Sequence, residues 1–206
     1  MTTALRATFE SGLPPDDAHP YRSGPWRPQH REFDAWDMDV IGEIPHDLNG
    51  VYLRNTENPL FAPIRRYHPF DGDGMLHAIT FESGEARYRN RFVRTEGFLA
   101  EQEAKQSLWA GITEHPSNAI ADHGWGARTM MKDNASTDVV VHGGKALASF
   151  YQCGELYQLD PRTLEDLGRA WWNGRFPAEG VSAHPKVDEH TGELLFFNYS
   201  ADAPYM

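Results

Sequence analysis

Ten histidines are spread along this 206-residue chain, and His184 is set apart from the rest by its neighbours. It stands between Ala183 and Pro185 in the run Ser182-Ala183-His184-Pro185-Lys186-Val187-Asp188. That run leads through Glu189-His190-Thr191-Gly192 into the apolar Leu194-Leu195-Phe196-Phe197. Proline fixes its own φ and restricts the residue before it, so this imidazole is held rather than left to swing. On the strand side of a hairpin whose far arm is apolar, such a ring is placed to hold a metal from the inside of a β-structure. The competing reading is a buried histidine satisfied by a backbone carbonyl.

The other nine histidines lack ligand spacing. His77 follows Asp71-Gly72-Asp73-Gly74, a turn whose aspartates serve backbone hydrogen bonds, because no glutamate stands where a calcium-binding loop needs one. It reads as structural. His142 and His190 fall in hairpin turns and read as exposed, and His68, before Pro69, reads as packed at a strand end. His19, His30, His46, His115 and His123 lie in loop-like sequence.

The elements that must position His184 are short strands. Gly50–Arg54, Met75–Phe81 and Ala86–Val93 have strand composition, the last alternating apolar and cationic residues, and Ser83-Gly84-Glu85 turns the second into the third. Thr137–Val141 and Ala146–Tyr151 form a second hairpin across His142-Gly143-Gly144-Lys145, followed by Leu156–Leu159. The hairpin theme recurs from His184 to Tyr199, with Gly192 in the role of Gly143. A recurrence of roughly 40 to 50 residues built from short antiparallel strands predicts β-propeller blades, with a sandwich as the alternative. Between the hairpins, Leu99, Glu101, Ala104, Leu108 and Trp109, interspersed with Gln and Glu, predict a short amphipathic helix with one apolar side over 97–111, and residues 112–130 a long loop. Residues 1–31 form an extended segment, proline-rich from residue 10 onward, that wraps a surface, and residues 32–206 form the folded domain.

Composition narrows the function classes. A formal net charge of -11 and the absence of a concentrated basic face exclude nucleic-acid binding. The single cysteine, Cys153, excludes an internal disulfide framework and suits a reducing compartment. The N-terminus lacks the apolar core of a secretion signal and no run reaches membrane-spanning length, so the expectation is a cytoplasmic protein without a transmembrane segment.

Five segments in order resemble the carotenoid cleavage oxygenase family, which includes the lignostilbene dioxygenases. They are Arg54-Asn55-Thr56-Glu57-Asn58-Pro59, Phe70-Asp71-Gly72-Asp73-Gly74-Met75-Leu76-His77, Asn134-Ala135-Ser136-Thr137, Leu159-Asp160-Pro161-Arg162-Thr163-Leu164-Glu165 and Ser182–Asp188. The resemblance covers residues 35–206 and corresponds to the N-terminal half of such a protein. It implies a seven-bladed propeller, here incomplete and truncated at the C-terminus, with a non-haem Fe(II) held by four histidines from different blades. The implied activity cleaves a small apolar alkene with O2, in this branch a stilbenoid or apocarotenoid, into two carbonyl products. His184 matches the first iron ligand. The other three are expected beyond Met206, with the remaining half of the propeller, so the chain alone is expected to be inactive.

The resemblance also assigns residues around the metal and the substrate. Gln152 stands where many members carry an acid that orients an iron histidine; a glutamine still accepts a hydrogen bond but brings no charge. Lys132 matches a lysine that holds a substrate phenol in the stilbene-cleaving branch, where it would pair with a phenolate and lower its pKa; the alternative is a surface lysine. Phe98 falls where that branch has a tyrosine, and it packs on a ring without bonding a hydroxyl. Thr56-Glu57 replaces a usual Gly-Pro pair. Phe61, Phe98, Trp109, Trp125 and Phe150 are available to line a tunnel for a flat apolar substrate. Against the oxygenase stand two other readings: a non-catalytic propeller fragment, and a kelch-like binding scaffold in which His184 is merely core.

Overall fold

The computed structural model describes residues 1–121, 131–152 and 154–198. His123, Trp125, Cys153 and the last residue of the predicted strand ending at Tyr199 lie outside the described residues. Antiparallel strands dominate. β1 (Thr2–Thr8) pairs with β2 (Arg31–Trp36), and β3 (Gly50–Asn58), β4 (Asp73–Glu82) and β5 (Glu85–Phe92) complete a five-stranded sheet of order β1-β2-β5-β4-β3. The predicted hairpin is β4–β5. Its two turn residues, Ser83 and Gly84, have φ of 53° and 81°, the left-handed pair that matches the natural twist of the strands.

A four-stranded sheet follows: β6 (Asp138–His142), β7 (Lys145–Ser149), β8 (Tyr157–Leu159) and β9 (Asp166–Arg169), in that order. Gly143 and Gly144, at φ 55° and 76°, turn β6 into β7. His142 is thus the last residue of β6 rather than a turn residue, and its Nε2 meets the Gly192 carbonyl at 3.0 Å. Finally β10 (Lys186–Val187) and β11 (Leu194–Leu195) form a short hairpin.

Side-chain alternation along β7 explains how these sheets stack. Ala146 and Ala148 point to one face, where they join Leu76, Ala78 and Val93 of the first sheet region with Tyr157 and Leu159. Leu147 points to the other face and packs with Leu156, Ala170 and Val181, flanked by Trp172 and Leu194. The small alanines let the two sheets approach closely. Asn55 on β3 spans that approach, donating its side-chain amide to the carbonyls of Ala135 at 2.8 Å and Asp138 at 3.1 Å. Gly74 does the same by having no side chain: a β-carbon there would lie 2.5 Å from the Ala135 carbonyl oxygen.

The recurring unit is more local than the Gly143 and Gly192 hairpins indicate. Asp160 and Asp188 each close the same turn. The Asp160 carboxylate accepts the N–H groups of Arg162 and Thr163, and the Asp188 carboxylate those of His190 and Thr191. In both, the backbone carbonyl of the aspartate accepts from a residue with left-handed φ, Leu164 at 58° and Gly192 at 74°. The β8–β9 connection and the β10–β11 connection are therefore the equivalent ones.

Two segments differ from the sequence reading. The part of the N-terminal segment from Thr2 to Thr8 is a sheet strand, paired along β2 with a bulge between Leu5 and Ala7. The helix α1 runs over Glu96–Ala104 rather than to 111, and Leu99 is exposed. Its buried residues are Gly97, Phe98 and Glu101. A charged residue on the inner face breaks the amphipathic pattern because its partner is a buried lysine.

Candidate functional site

His184 follows the buried pair Ser182-Ala183 and precedes buried Pro185. Its φ is 65°, an uncommon conformation for a residue with a side chain, so the backbone here turns the imidazole out of the strand path. The ring is two-thirds exposed, not buried as the competing reading has it, and Nδ1 lies 3.3 Å from Asp138 Oδ2 at the start of β6. The carbonyl-satisfied alternative is therefore not what the structure shows. An imidazole whose Nδ1–H donates to a carboxylate leaves Nε2 with a free lone pair for a metal, the arrangement commonly found at metal-bound histidines. Among the described residues no group of three or more metal-capable side chains occurs, so His184 is a single donor here.

Gln152 is half-buried. His77 is enclosed in the first sheet, with Nε2 3.0 Å from Thr56 Oγ1 and Nδ1 2.6 Å from Tyr88 Oη. Burial, with the Arg54 charge adding to it, lowers its pKa to about 4, so it is neutral near pH 7 and structural. His68 caps the short 3-10 turn at Pro69–Asp71.

Lys132 is the larger surprise. It is 7% exposed, not a surface lysine, and its Nζ lies 2.6 Å from Asp73 Oδ1 and 2.6 Å from Glu101 Oε2. Asp73 arrives from the start of β4 and Glu101 from the inner face of α1. The helix is held in place by Thr95, whose hydroxyl accepts the Phe98 N–H, and by the buried Tyr157, whose hydroxyl accepts the Glu96 N–H. Burial opposes the ammonium charge, yet the two carboxylates more than reverse that and raise the Lys132 pKa. Asp73 is pushed up to about 6 by burial, an effect that Glu101 reinforces and Lys132 offsets only in part. Neither acid could be assigned as a partner from sequence, since both are far from residue 132.

A cleft of about 40 Å³ opens beside this triplet, lined by Phe61, Tyr67, Asp71, Glu101, Trp109 and Asn134 among others. The Asp71 carboxylate accepts the N–H groups of His68 and Ile112, the backbone role expected of it. Of the predicted tunnel aromatics, Phe61 and Trp109 line the cleft. Phe98 lies beneath, 1% exposed, with its ring stacked 5.0 Å from Phe92 and edge-on to Phe9 at 5.5 Å. Phe150 is fully buried against Tyr151. The structure thus brings Lys132, Phe61 and the layer containing Phe98 together, and places His184 and Asp138 at a separate position.

Consecutive antiparallel sheets joined face to face, with a carboxylate-held histidine beside the last hairpin, define an all-β scaffold of the propeller type. The family model described as RPE65, retinal pigment epithelial membrane protein, matches residues 26–206. The isoeugenol monooxygenase of Pseudomonas nitroreducens is 40% identical over 183 residues, which is 88% of this chain and 37% of that protein. The crystal structure of a Pseudomonas brassicacearum lignostilbene dioxygenase superposes with a TM-score of 0.77 at 28% identity, covering 91% of this chain and 38% of that one. A cobalt-substituted Synechocystis oxygenase structure, ACO, superposes with a TM-score of 0.64 at 33% identity over 78% of this chain and 34% of its own. The chain therefore belongs to the RPE65 and carotenoid cleavage oxygenase family, as its motifs predict. It spans less than two-fifths of the length of these relatives. No helix among the described residues is long and apolar enough to cross a membrane.

Proposed function

We propose that this chain is part of a non-haem iron oxygenase that cleaves a conjugated carbon–carbon double bond of a stilbenoid or apocarotenoid with O2 to give two carbonyl products. The observation that carries the reading is His184, exposed beside the β10–β11 hairpin with Nδ1 on the Asp138 carboxylate, which leaves the Nε2 lone pair for a metal. The donor chemistry fits Fe(II), which accepts neutral imidazole readily, and relatives that share the fold include a cobalt-substituted one. His184 would be one ligand, and the other three histidines would come from outside this chain.

The metal's contribution, once bound, is to bring O2 beside the alkene. The chain's own residues do the rest of what is visible here. Asp138 keeps the His184 tautomer and ring plane in place, and the half-buried Gln152 would orient a further histidine through its amide. Phe61 and Trp109 exclude water from one side of the cleft at Lys132, with Phe98 in the layer below. In this reading the cleft receives one end of the substrate.

Metal analysis of the longest natural open reading frame tests the proposal. Stoichiometric iron that is lost on His184→Ala supports it. A well-folded full-length protein without iron would instead leave the non-catalytic scaffold reading. The 206-residue chain alone is expected to show no alkene cleavage, because a single imidazole does not hold Fe(II) against water; turnover by it would contradict this part.

A further inference from the structure

We propose that the arginine-lined groove over β1, β2 and the start of β5 binds an aromatic ring that carries a carboxylate, and that Arg87 and Trp36 hold its two ends. Neither His184 nor the cleft at Lys132 takes part, so the site stands apart from the oxygenase reading.

Strand geometry gathers the cations. Successive side chains of β5 point to opposite faces, so Arg87, Arg89 and Arg91 form a row on one face with about 7 Å between neighbours. Asp34 of β2 stands directly opposite Arg89. Arg6 joins them because the bulge between Leu5 and Ala7 leaves it out of register with β2, and its side chain turns onto Asp34. No basic run marks these residues in the sequence, since other side chains separate them and Arg6 comes from the far end of the chain. Four arginines around one carboxylate suit a single small anion rather than a phosphate backbone.

Asp34 does not balance them. Its Oδ2 takes Arg6 at 2.6 Å and its Oδ1 takes Arg91 at 2.7 Å, with Arg89 at 3.8 Å, so one negative charge serves three guanidinium groups. Arg87 has a single ion-pair partner among the described residues, Glu85 at 3.6 Å, and both side chains are more than half exposed. An exposed pair beyond hydrogen-bond distance contributes little, so the N–H groups of Arg87 remain for a ligand. Asp37, just past β2, also borders the groove, where its carboxylate accepts the Thr2 hydroxyl at 3.0 Å. Four arginines thus face Asp34, Glu85 and Asp37, and positive charge stays in excess in a chain whose formal net charge is -11.

A cavity of about 490 Å³ lies over this face, lined by Arg6, Asp34, Trp36, Arg87 and Arg89 among others. That volume suits a small molecule of one or two rings. Trp36 lies two residues beyond Asp34, on the same face of β2, and is 37% exposed. Its indole offers a flat apolar wall, and the planar guanidinium of Arg87 matches a carboxylate with two parallel hydrogen bonds. An anion without a ring would use the arginine end alone, and a ring without an anion the Trp36 end alone.

The test is isothermal titration calorimetry of the full chain with naphthalene-2-carboxylate, naphthalene-2-carboxamide, cyclohexanecarboxylate and inorganic phosphate. The naphthalene carboxylate is expected to bind saturably at one site, and the other three at least about tenfold more weakly. Arg87→Gln, which leaves every partner of Asp34 in place, should weaken the naphthalene carboxylate about tenfold and leave the carboxamide unchanged. Trp36→Leu should bring the naphthalene carboxylate down to the level of cyclohexanecarboxylate. No saturable binding of the naphthalene carboxylate, equal binding of the carboxamide, phosphate binding as tight as the carboxylate, or an unchanged affinity in Arg87→Gln would each overturn the inference. Iron content and His184→Ala decide the oxygenase reading separately, so the two fail independently.

Discussion

A β-carbon on Gly97 would sit 2.6 Å from Cγ of Lys132, so the helix α1 and the buried lysine approach each other as closely as they do only because residue 97 lacks a side chain. The contact is with the stem of a lysine whose far end is pinned by two carboxylates, so the stem has little room to move aside. This one relationship sets the depth at which Glu101 reaches Lys132.

Gly97→Ala is therefore expected to destabilise the chain by about 1–3 kcal/mol, through overpacking. Helix propensity alone predicts the opposite sign, a gain of up to about 1 kcal/mol for Gly→Ala. Urea unfolding of the two proteins separates these, and a stabilised variant would refute the packing argument.

Removing the lysine should cost more. Lys132→Met keeps the stem but leaves Asp73 and Glu101 buried without their cation, a loss of about 3–5 kcal/mol. Adding Asp73→Asn and Glu101→Gln to that variant should recover much of the loss, since it removes the uncompensated charges. Thermal unfolding of the single and triple variants reads this directly.

The pH dependence follows from Asp73. Its folded pKa, about 6, lies above its ordinary 3.8, so the folded state binds the proton more tightly. The contribution of this group to stability is full below 3.8, falls as pH rises through about 6, and is a penalty above it. Because Glu101 shares the site, the proton belongs to the pair. Comparing urea unfolding of the wild type and Asp73→Asn between pH 7 and 4, the wild type should gain on the variant as pH falls. Asp17 and Asp34, whose pKa values are lowered, act in the opposite direction but cancel in the comparison.

Asn55 should behave as a strut between the sheets. Asn55→Ala leaves the carbonyls of Ala135 and Asp138 without their donor and is expected to cost about 1–3 kcal/mol. Hydrogen exchange should then rise first at β6, where the strut lands. Unchanged exchange there would show that apolar packing alone joins the sheets.

Much of the fold is legible in the sequence. Alternation and the turn residues Ser83-Gly84 and Gly143-Gly144 locate β4–β5 and β6–β7, because strand period and left-handed turns are local properties of the chain. The Ser182–Asp188 run singled out His184 on the same local grounds. β1 and β2 were missed, since their sequences lack a clean alternation and become strands by pairing with each other and with β5. The helix is legible but its inner face is not: Leu99 of the apolar pattern is exposed, and Glu101 is buried because Lys132 lies against it.

What the sequence by itself determined about this protein is its two clearest hairpins, β4–β5 and β6–β7, and its family, which rest on patterns among neighbours within a few residues. Only the tertiary structure decided that Lys132 is buried between two carboxylates, that Asp34 serves three arginines, and that His184 is exposed with Asp138 at its Nδ1. Each of those facts depends on residues brought together from distant parts of the chain, and burial and charge balance exist only once the sheets have packed.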